Sequence, residues 1–150
     1  MLSAEPIFRI IAELADILPL GQTPYGERRI INILGGRVEG KRLSGRILPG
    51  GADWQIIRSD GVADLRARYT IETAAGACIL VNSEGLRHGP PDVIARLARG
   101  EDVDPALYYF RTFMRFEAGH DSVLWLNKVL GVGRGKREAR AVHLDVYEVL

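Results

Sequence analysis

Apolar and polar positions alternate along most of this chain, and the alternation predicts a protein built from short β-strands. In Leu65–Thr73 the odd-numbered positions are mostly apolar and the even-numbered positions polar, so one face is expected to be buried. Leu107–Glu117 alternates in the same way over a longer run. Further strands are predicted over Ile7–Ala15, Arg28–Leu34, Val38–Gly40, Leu43–Leu48, Asp53–Arg58, Cys78–Val81, Val123–Val132 and Ala139–Val149.

Glycine, proline and aspartate separate these runs. Leu20–Gly26 and Gly131–Lys136 are predicted to be loops, Gly35-Gly36 a turn or bulge, and Asp60-Gly61 a tight turn. One helix interrupts the strands over Asp92–Arg99, because two prolines precede it and Gly100 follows it.

The spacing of these signals, about 8–12 residues, is typical of an all-β sandwich or barrel. With 150 residues and no linker or repeat, the chain predicts one domain over 1–150. Closing the sheet on itself removes exposed edges, and a barrel of about eight strands keeps a small interior cavity. We therefore predict an antiparallel β-barrel with one short helix, which either caps one end or packs outside.

The charge balance limits the classes of partner. Lysine and arginine number 20 against 19 acidic residues, so no bulk field favours nucleic acid or an anionic membrane. No apolar run approaches the roughly 20 residues of a membrane span, and the N-terminus does not resemble a signal peptide. We expect a cytoplasmic protein. Cys78 is the only cysteine and is predicted to be a buried, inert thiol.

The sequence carries no strong motif for a metal, a nucleotide or a catalytic nucleophile. Gly131–Gly135 has two of the glycines of a nucleotide-binding loop but lacks the third at the required spacing. The three histidines are scattered and no Gly-x-Ser-x-Gly elbow exists. We therefore predict no metal and no cofactor.

Polar side chains within the apolar strands are the candidate chemistry. Tyr109, Arg111 and Glu117 share one face, Trp125 and Asn127 share another, and Asp53 follows a glycine break. If these faces point into a barrel, apolar walls raise the pKa of a carboxyl group and Arg111 binds a carboxylate or enolate. The alternative is a surface ion pair between Arg111 or Arg115 and Glu117.

The run Pro49-Gly50-Gly51-Ala52-Asp53 and the triplet Trp125-Leu126-Asn127 carry a family resemblance. With Ala67-Arg68-Tyr69, Tyr108–Arg111 and Phe116-Glu117, the chain resembles domain-of-unknown-function family 3237, also called uncharacterised protein family 0311. The resemblance covers about Gly21 to Leu150. It implies a compact antiparallel barrel of the small-ligand-binding, calycin-like kind. Some relatives are placed in biosynthetic pathways, where cofactor-free cyclisation or addition to an activated double bond has been proposed.

The positions that the resemblance carries over are predicted to act together on a small molecule. Asp53, Glu117 and Arg111 are the candidate catalytic residues, and the candidate substrate-binding residues are Arg68, Tyr109, Trp125 and Asn127. The predicted function is a cofactor-free cyclase, isomerase or lyase (hydration) that uses acid–base chemistry.

Two other functions stay open. The first is a non-catalytic binding protein for a carboxylated or aromatic metabolite, with Arg111 and Trp125 as anchors. The second is an oligomerisation role, in which Ala139–Val149 and Val123–Val132 pair between the subunits of a homodimer. Light scattering over a range of protein concentrations tests the homodimer.

Overall fold

Nine antiparallel strands close into a barrel. The computed structural model describes residues 1–150. The strands are β1 Phe8–Thr23, β2 Gly26–Glu39, β3 Gly45–Ile47, β4 Gly51–Ile57, β5 Ala63–Thr73, β6 Cys78–His88, β7 Tyr109–Ala118, β8 Leu130–Arg137 and β9 Ala141–Glu148. β1 pairs with both β2 and β9, and β3 and β4 share the place between β2 and β5. Because β3 and β4 together occupy one strand position, the nine strands form an eight-stranded antiparallel barrel. The predicted fold class is confirmed.

Two short helices and a three-residue 3₁₀ turn, Pro105–Leu107, accompany the barrel. The helix α1, Pro91–Ala98, lies within one residue of its predicted bounds. A second helix of 3₁₀ geometry, Asp121–Lys128, replaces most of the strand predicted over Val123–Val132. That strand prediction is wrong because Val123 and Leu126, three residues apart, are the buried positions, which is a helical spacing.

The predicted loops at Leu20–Gly26 and Gly131–Lys136 are also wrong. β1 continues to Thr23 and turns back through only two residues, so the first segment is the end of a long hairpin. The second segment is strand β8, whose glycines 131, 133 and 135 are all buried. Glycine at every second position therefore marks the inward face of a strand here.

The buried glycines of β8 make room for the large side chains of β7. A Cβ at Gly135 would lie 2.6 Å from the Phe110 ring, and one at Gly133 would overlap the Thr112 hydroxyl. Small barrels fill their interior by setting small residues against large ones. The glycines thus determine how Phe110 and Thr112 sit inside the barrel.

The barrel interior is divided into an apolar half and a polar half. Beside the second helix the interior is filled by apolar side chains that are almost fully buried, among them Ile10, Ile71, Ile79, Val81, Met114, Leu126 and Val146. Cys78, predicted to be buried, lies at the start of β6 in this region and is exposed. Side chains alternate between the two faces of β6, and on this strand Ile79 and Val81 are the buried ones.

The opposite end of the barrel, which we call the mouth, lies beside α1. Ile94 and Leu97 of α1 line the opening, so the helix covers part of this end. Of the two positions that the sequence left open for the helix, the structure selects the cap.

Candidate functional site

The polar half of the interior is built from inward positions of four strands. Asp53 and Gln55 stand two residues apart on β4 and therefore share the inner face. Arg29 is the direct partner of Gln55 on β2. Arg87, near the end of β6, and Arg137, the last residue of β8, also face the cavities at this end.

A chain of hydrogen bonds links Arg29 to Asp53 through Gln55. Arg29 Nη2 donates to Gln55 Oε1 over 2.7 Å, and Gln55 Nε2 donates to Asp53 Oδ2 over 2.9 Å. The other oxygen, Asp53 Oδ1, accepts from the backbone N–H of Arg66 over 3.0 Å. Because a guanidinium only donates, it fixes the orientation of the Gln55 amide and turns the NH₂ group toward the carboxyl. Asp53 is therefore held in one geometry.

Burial dominates the acidity of Asp53. Loss of solvation raises the pKa of its carboxyl above the ordinary value, against hydrogen bonds from Gln55 and Arg66 and the positive charges of Arg87 and Arg137. A carboxyl group with a raised pKa exchanges its proton nearer neutral pH than an exposed aspartate does.

Arg29, Arg87 and Arg137 form what we call the arginine cluster. Burial lowers the pKa of all three, and repulsion by the other two helps to bring the pKa of Arg87 to about 10. None of the three makes an ion pair with a carboxylate. Tyr108 positions Arg137, since its hydroxyl accepts from the Arg137 backbone N–H over 2.8 Å.

Two cavities meet at these arginines. The mouth cavity has a volume of about 440 Å³ and lies between α1 and the barrel rim. The inner cavity, about 50 Å³, lies deeper and is lined by Asp53 and Gln55 among apolar side chains. Arg87 and Arg137 line both cavities, so they stand where one cavity passes into the other.

Two hydroxyl groups in the inner cavity have no hydrogen-bond partner within the protein. They belong to Tyr69 and Thr112, and both oxygens are buried. Buried polar groups without partners are uncommon and carry a free-energy cost. A polar group of a bound molecule, or a water, would satisfy them.

The structure separates Asp53 from the other predicted catalytic residues. Asp53 faces the inner cavity as predicted. Glu117 and Tyr109 are exposed on the outer face of β7, and Arg111, half-buried there, donates to its neighbour's carbonyl at Phe110. Arg68 is exposed on the outside of β5. The inward placement of the Tyr109–Glu117 face is thus corrected, because the alternate set, from Tyr108 to Phe116, carries the larger apolar surface and is buried.

The predicted binding residues Trp125 and Asn127 lie at the end of the barrel away from the mouth. The Arg42 guanidinium stacks over the Trp125 ring at 3.8 Å. Asn127 exchanges hydrogen bonds with the backbone N–H and C=O of Ala118, over 2.9 and 2.8 Å. These contacts fasten the second helix to β7. They do not bring either side chain to Asp53.

Sequence reasoning missed the arginine cluster, Gln55 and the two hydroxyls. The alternation of side chains along a strand could have identified part of this set. Ile31 predicts that Arg29, two residues away on the same strand, faces inward. Ile79 and Val81 predict the same for Arg87 once β6 is extended to that residue. On β4 the pattern is reversed, because Asp53 and Gln55 face inward while Trp54 is exposed. A strand whose polar positions are the buried ones indicates a polar cavity.

We expect the pH dependence of stability to report the environment of Asp53. Since burial raises the pKa of Asp53 in the native protein, its contribution to stability is fully present below about pH 4 and is lost as pH rises through the native pKa. The unfolding free energy of the protein minus that of Asp53→Asn should therefore fall as the pH rises above about 4. Urea denaturation at a series of pH values measures it; a difference that rises with pH contradicts the assignment.

The chain is similar over almost its whole length to proteins of one family. A family model described as "Protein of unknown function (DUF3237)" matches residues 2–149. The UPF0311 protein RPA1785 of Rhodopseudomonas palustris is 46% identical over 149 residues, 99% of this chain and 97% of that protein. The UPF0311 protein CA_C3321 of Clostridium acetobutylicum is 36% identical, over 97% of this chain and 92% of its own length.

Solved structures share the barrel. The crystal structure of RPA1785 superposes with a TM-score of 0.93 at 45% identity, covering 100% of this chain and 98% of that one. A "beta-barrel like protein" from Acinetobacter baumannii gives 0.84 at 43% identity, covering 99% and 96%. A structure described as an enzyme from Penicillium herquei gives 0.63 at 18% identity, covering 96% of each chain, which shows a shared fold alone.

Neither a membrane-crossing helix nor a metal-binding group of side chains is found in the structure. No helix has the length and apolar character needed to cross a membrane. No three His, Cys, Asp or Glu side chains are grouped so as to hold a metal ion.

Proposed function

This chain belongs to the DUF3237 family of proteins of unknown function, also named UPF0311, and we propose that it is an enzyme that moves a proton to or from a small organic molecule. The family resemblance predicted from the sequence is thereby confirmed. The molecule would occupy the mouth cavity and reach Asp53 past the arginine cluster.

One observation carries the proposal: a half-buried carboxyl group with a raised pKa is fixed at the wall of the inner cavity. Asp53 is oriented on both oxygens, by Gln55 and by the Arg66 backbone. General acid–base catalysis requires such a group in reach of the reacting atoms and with a pKa near the working pH. Arg87 and Arg137 would stabilise negative charge that develops on the substrate.

The proposed chemistry is cyclisation, isomerisation or hydration. In the cyclisation, the Asp53 O–H bond breaks and its proton forms a C–H bond at one carbon of a double bond. The substrate's own hydroxyl oxygen bonds to the other carbon, and the hydroxyl proton returns to the Asp53 carboxylate. In a hydration, water replaces that hydroxyl. In an isomerisation, Asp53 gives its proton to one carbon of the double bond, and its carboxylate removes a proton from a carbon next to the other. The carboxyl group is regenerated in each case, so the cycle needs no oxidant or reductant.

The experiment that tests the proposal uses the mass balance of these reactions. The purified protein is incubated in D₂O with a small-molecule extract of its host, and mass spectrometry compares the mixture before and after. We expect one compound to be replaced by an isomer, or by a product heavier by one water, with one deuterium bound to carbon. Consumption of a compound without deuterium on carbon would contradict proton transfer.

A non-catalytic binding protein is the second candidate. The observation in its favour is that Arg29, Arg87 and Arg137 line the mouth cavity without a carboxylate partner, an arrangement that suits a bound anion whether or not a reaction follows. Native mass spectrometry of gently purified protein would identify a retained ligand. Recovery of that ligand unchanged after long incubation in D₂O supports binding over catalysis.

Replacing Gln55 with leucine is expected to move the pH profile of the reaction. The Gln55 amide favours the ionised form of Asp53, so its loss raises the pKa of Asp53 further. The alkaline limb of the turnover profile should then shift to higher pH. The exposed Gln22→Leu is the matched control. A limb that stays in place in Gln55→Leu would show that Gln55 does not position Asp53 for the reaction.

A further inference from the structure

We infer that the substrate is an organic carboxylate and that Arg29, Arg87 and Arg137 bind its carboxylate group. The inference deepens the proposed function, on which it rests for the location of the substrate. Guanidinium groups match a carboxylate through pairs of parallel hydrogen bonds.

The carboxylates around the mouth cavity form no ion pair with the arginine cluster. Five arginines and two carboxylates line it. Arg140 pairs with Asp16 over 3.1 Å, and Arg99 pairs with Glu101, outside the lining, over 2.7 Å. The remaining acidic side chain of the lining, Glu27, lies near Arg29 without forming an ion pair. The cluster therefore holds a surplus of positive charge that points into the cavity.

Burial makes this surplus unfavourable in the protein by itself. Like charges repel strongly where solvent screening is weak, and a buried donor without a partner has a free-energy cost. Arg29 Nε is such a donor, since it is buried and bonded to nothing in the protein. A bound carboxylate removes both penalties at once. Functional sites commonly retain arrangements of this kind at the expense of stability.

The cavity walls indicate an organic anion in preference to an inorganic one. Apolar side chains stand beside the charged ones, among them Ile17, Ile57, Ile94 and Leu97. A molecule with a carboxylate and an apolar body would cover both. The Tyr69 and Thr112 hydroxyls, which have no hydrogen-bond partner, lie deeper, in the inner cavity. Its volume of about 50 Å³ admits a water or one polar group of the same molecule.

Benzoate and its neutral analogue benzamide are the probes that test the inference, with inorganic phosphate as a third. We expect calorimetry to show benzoate binding at least about 10-fold tighter than benzamide, as charged hydrogen bonds imply. We also expect benzoate to raise the melting temperature and phosphate to have little effect. Equal binding of benzoate and benzamide, binding of phosphate as tight as that of benzoate, or no benzoate binding at millimolar concentration would overturn it.

Arg87→Met, with Arg115→Met as its matched control, locates the binding. Both changes remove one positive charge, but Arg115 is exposed on the outer face of β7. Arg87→Met should weaken benzoate binding by about 10- to 100-fold without lowering the melting temperature of the free protein, and Arg115→Met should leave binding within about twofold. If Arg87→Met does not fold, Arg137→Gln is measured in its place.

The outcomes also separate this inference from the proposed function. A melting temperature lowered in Arg87→Met, with the preference for benzoate retained, would assign Arg87 a structural role and overturn the inference. Loss of benzoate binding in Arg87→Met with no deuterium exchange by wild-type protein would retain the carboxylate site and refute catalysis. Deuterium exchange that depends on Asp53, with equal affinity for benzoate and benzamide, would retain the proposed catalysis and overturn the carboxylate site.

Discussion

Replacing Asp53 with asparagine is expected to lower the turnover of the substrate by at least about 100-fold, the smaller end of what general acid–base catalysis contributes. Asparagine retains the shape of the side chain and can accept from the Arg66 backbone N–H, but it has no acidic proton. Deuterium incorporation from D₂O measures the loss directly. Circular dichroism and the melting temperature establish that the barrel is still folded.

Two exposed carboxylates serve as comparisons for Asp53→Asn. Glu84→Gln changes an acidic residue on the outer face of β6, immediately after the buried Ser83. Glu117→Gln tests the other carboxylate that the sequence proposed as catalytic. Since both side chains are exposed outside the barrel, each variant should retain turnover within about twofold. Full turnover in Asp53→Asn would remove Asp53 from the mechanism. A loss in Glu117→Gln equal to that in Asp53→Asn would show that the effect is not specific to the carboxyl group of the inner cavity.

Replacing Gly36 with alanine is expected to lower the free energy of unfolding by about 3 kcal/mol or more. Gly36 has φ of 136°, a region that side chains with a Cβ rarely adopt, and its Cβ would overlap the carbonyl oxygen of Ile11 on β1. Backbone strain and overpacking each cost about 1–3 kcal/mol, and backbone on a paired strand cannot move aside cheaply. Chemical denaturation measures the change.

Gly50→Ala is the matched control for Gly36→Ala. Gly50 also has a positive φ, 111°, but nothing lies within 4 Å of the position that a Cβ would take. Gly50→Ala should lower the free energy of unfolding by only about 1–2 kcal/mol, which is the cost of the unfavourable backbone conformation alone. Equal losses in the two variants would show that the contact between β1 and β2 contributes nothing at Gly36.

Gly36 matters to the site because the inward-facing positions of β2 change beside it from odd-numbered to even-numbered residues. Ile31 and Ile33 face the inner cavity, whereas further along the strand Val38 is the buried residue. The register between β1 and β2 shifts at this point, so that Glu13 pairs with Gly35 and Leu14 with Ile33. The Gly35-Gly36 pair thus marks an irregularity within one strand, as the bulge alternative predicted.

Local patterns in the sequence were sufficient for the fold class. The alternation in Leu65–Thr73 identifies the correct inward face of β5, and Pro90-Pro91 and Gly100 delimit α1 to within one residue. Both signals act between neighbours in the chain, through strand pleating and helix ends. The loop prediction for Gly131–Lys136 is wrong because glycine breaks a pattern locally, whereas in the barrel it accommodates Phe110 and Thr112 from another strand.

By itself, the sequence indicated that this protein is an antiparallel barrel of a known family and that Asp53 is a candidate acid. Only the tertiary structure decided which residues surround Asp53. Arg29, Arg87 and Arg137 lie far apart in the chain, and strand pairing across a closed barrel brings them to one rim. Burial then changes their chemistry, since the acidity of Asp53 and of the arginines depends on the solvent that the folded barrel removes. Neither effect is encoded in the spacing of residues along the chain.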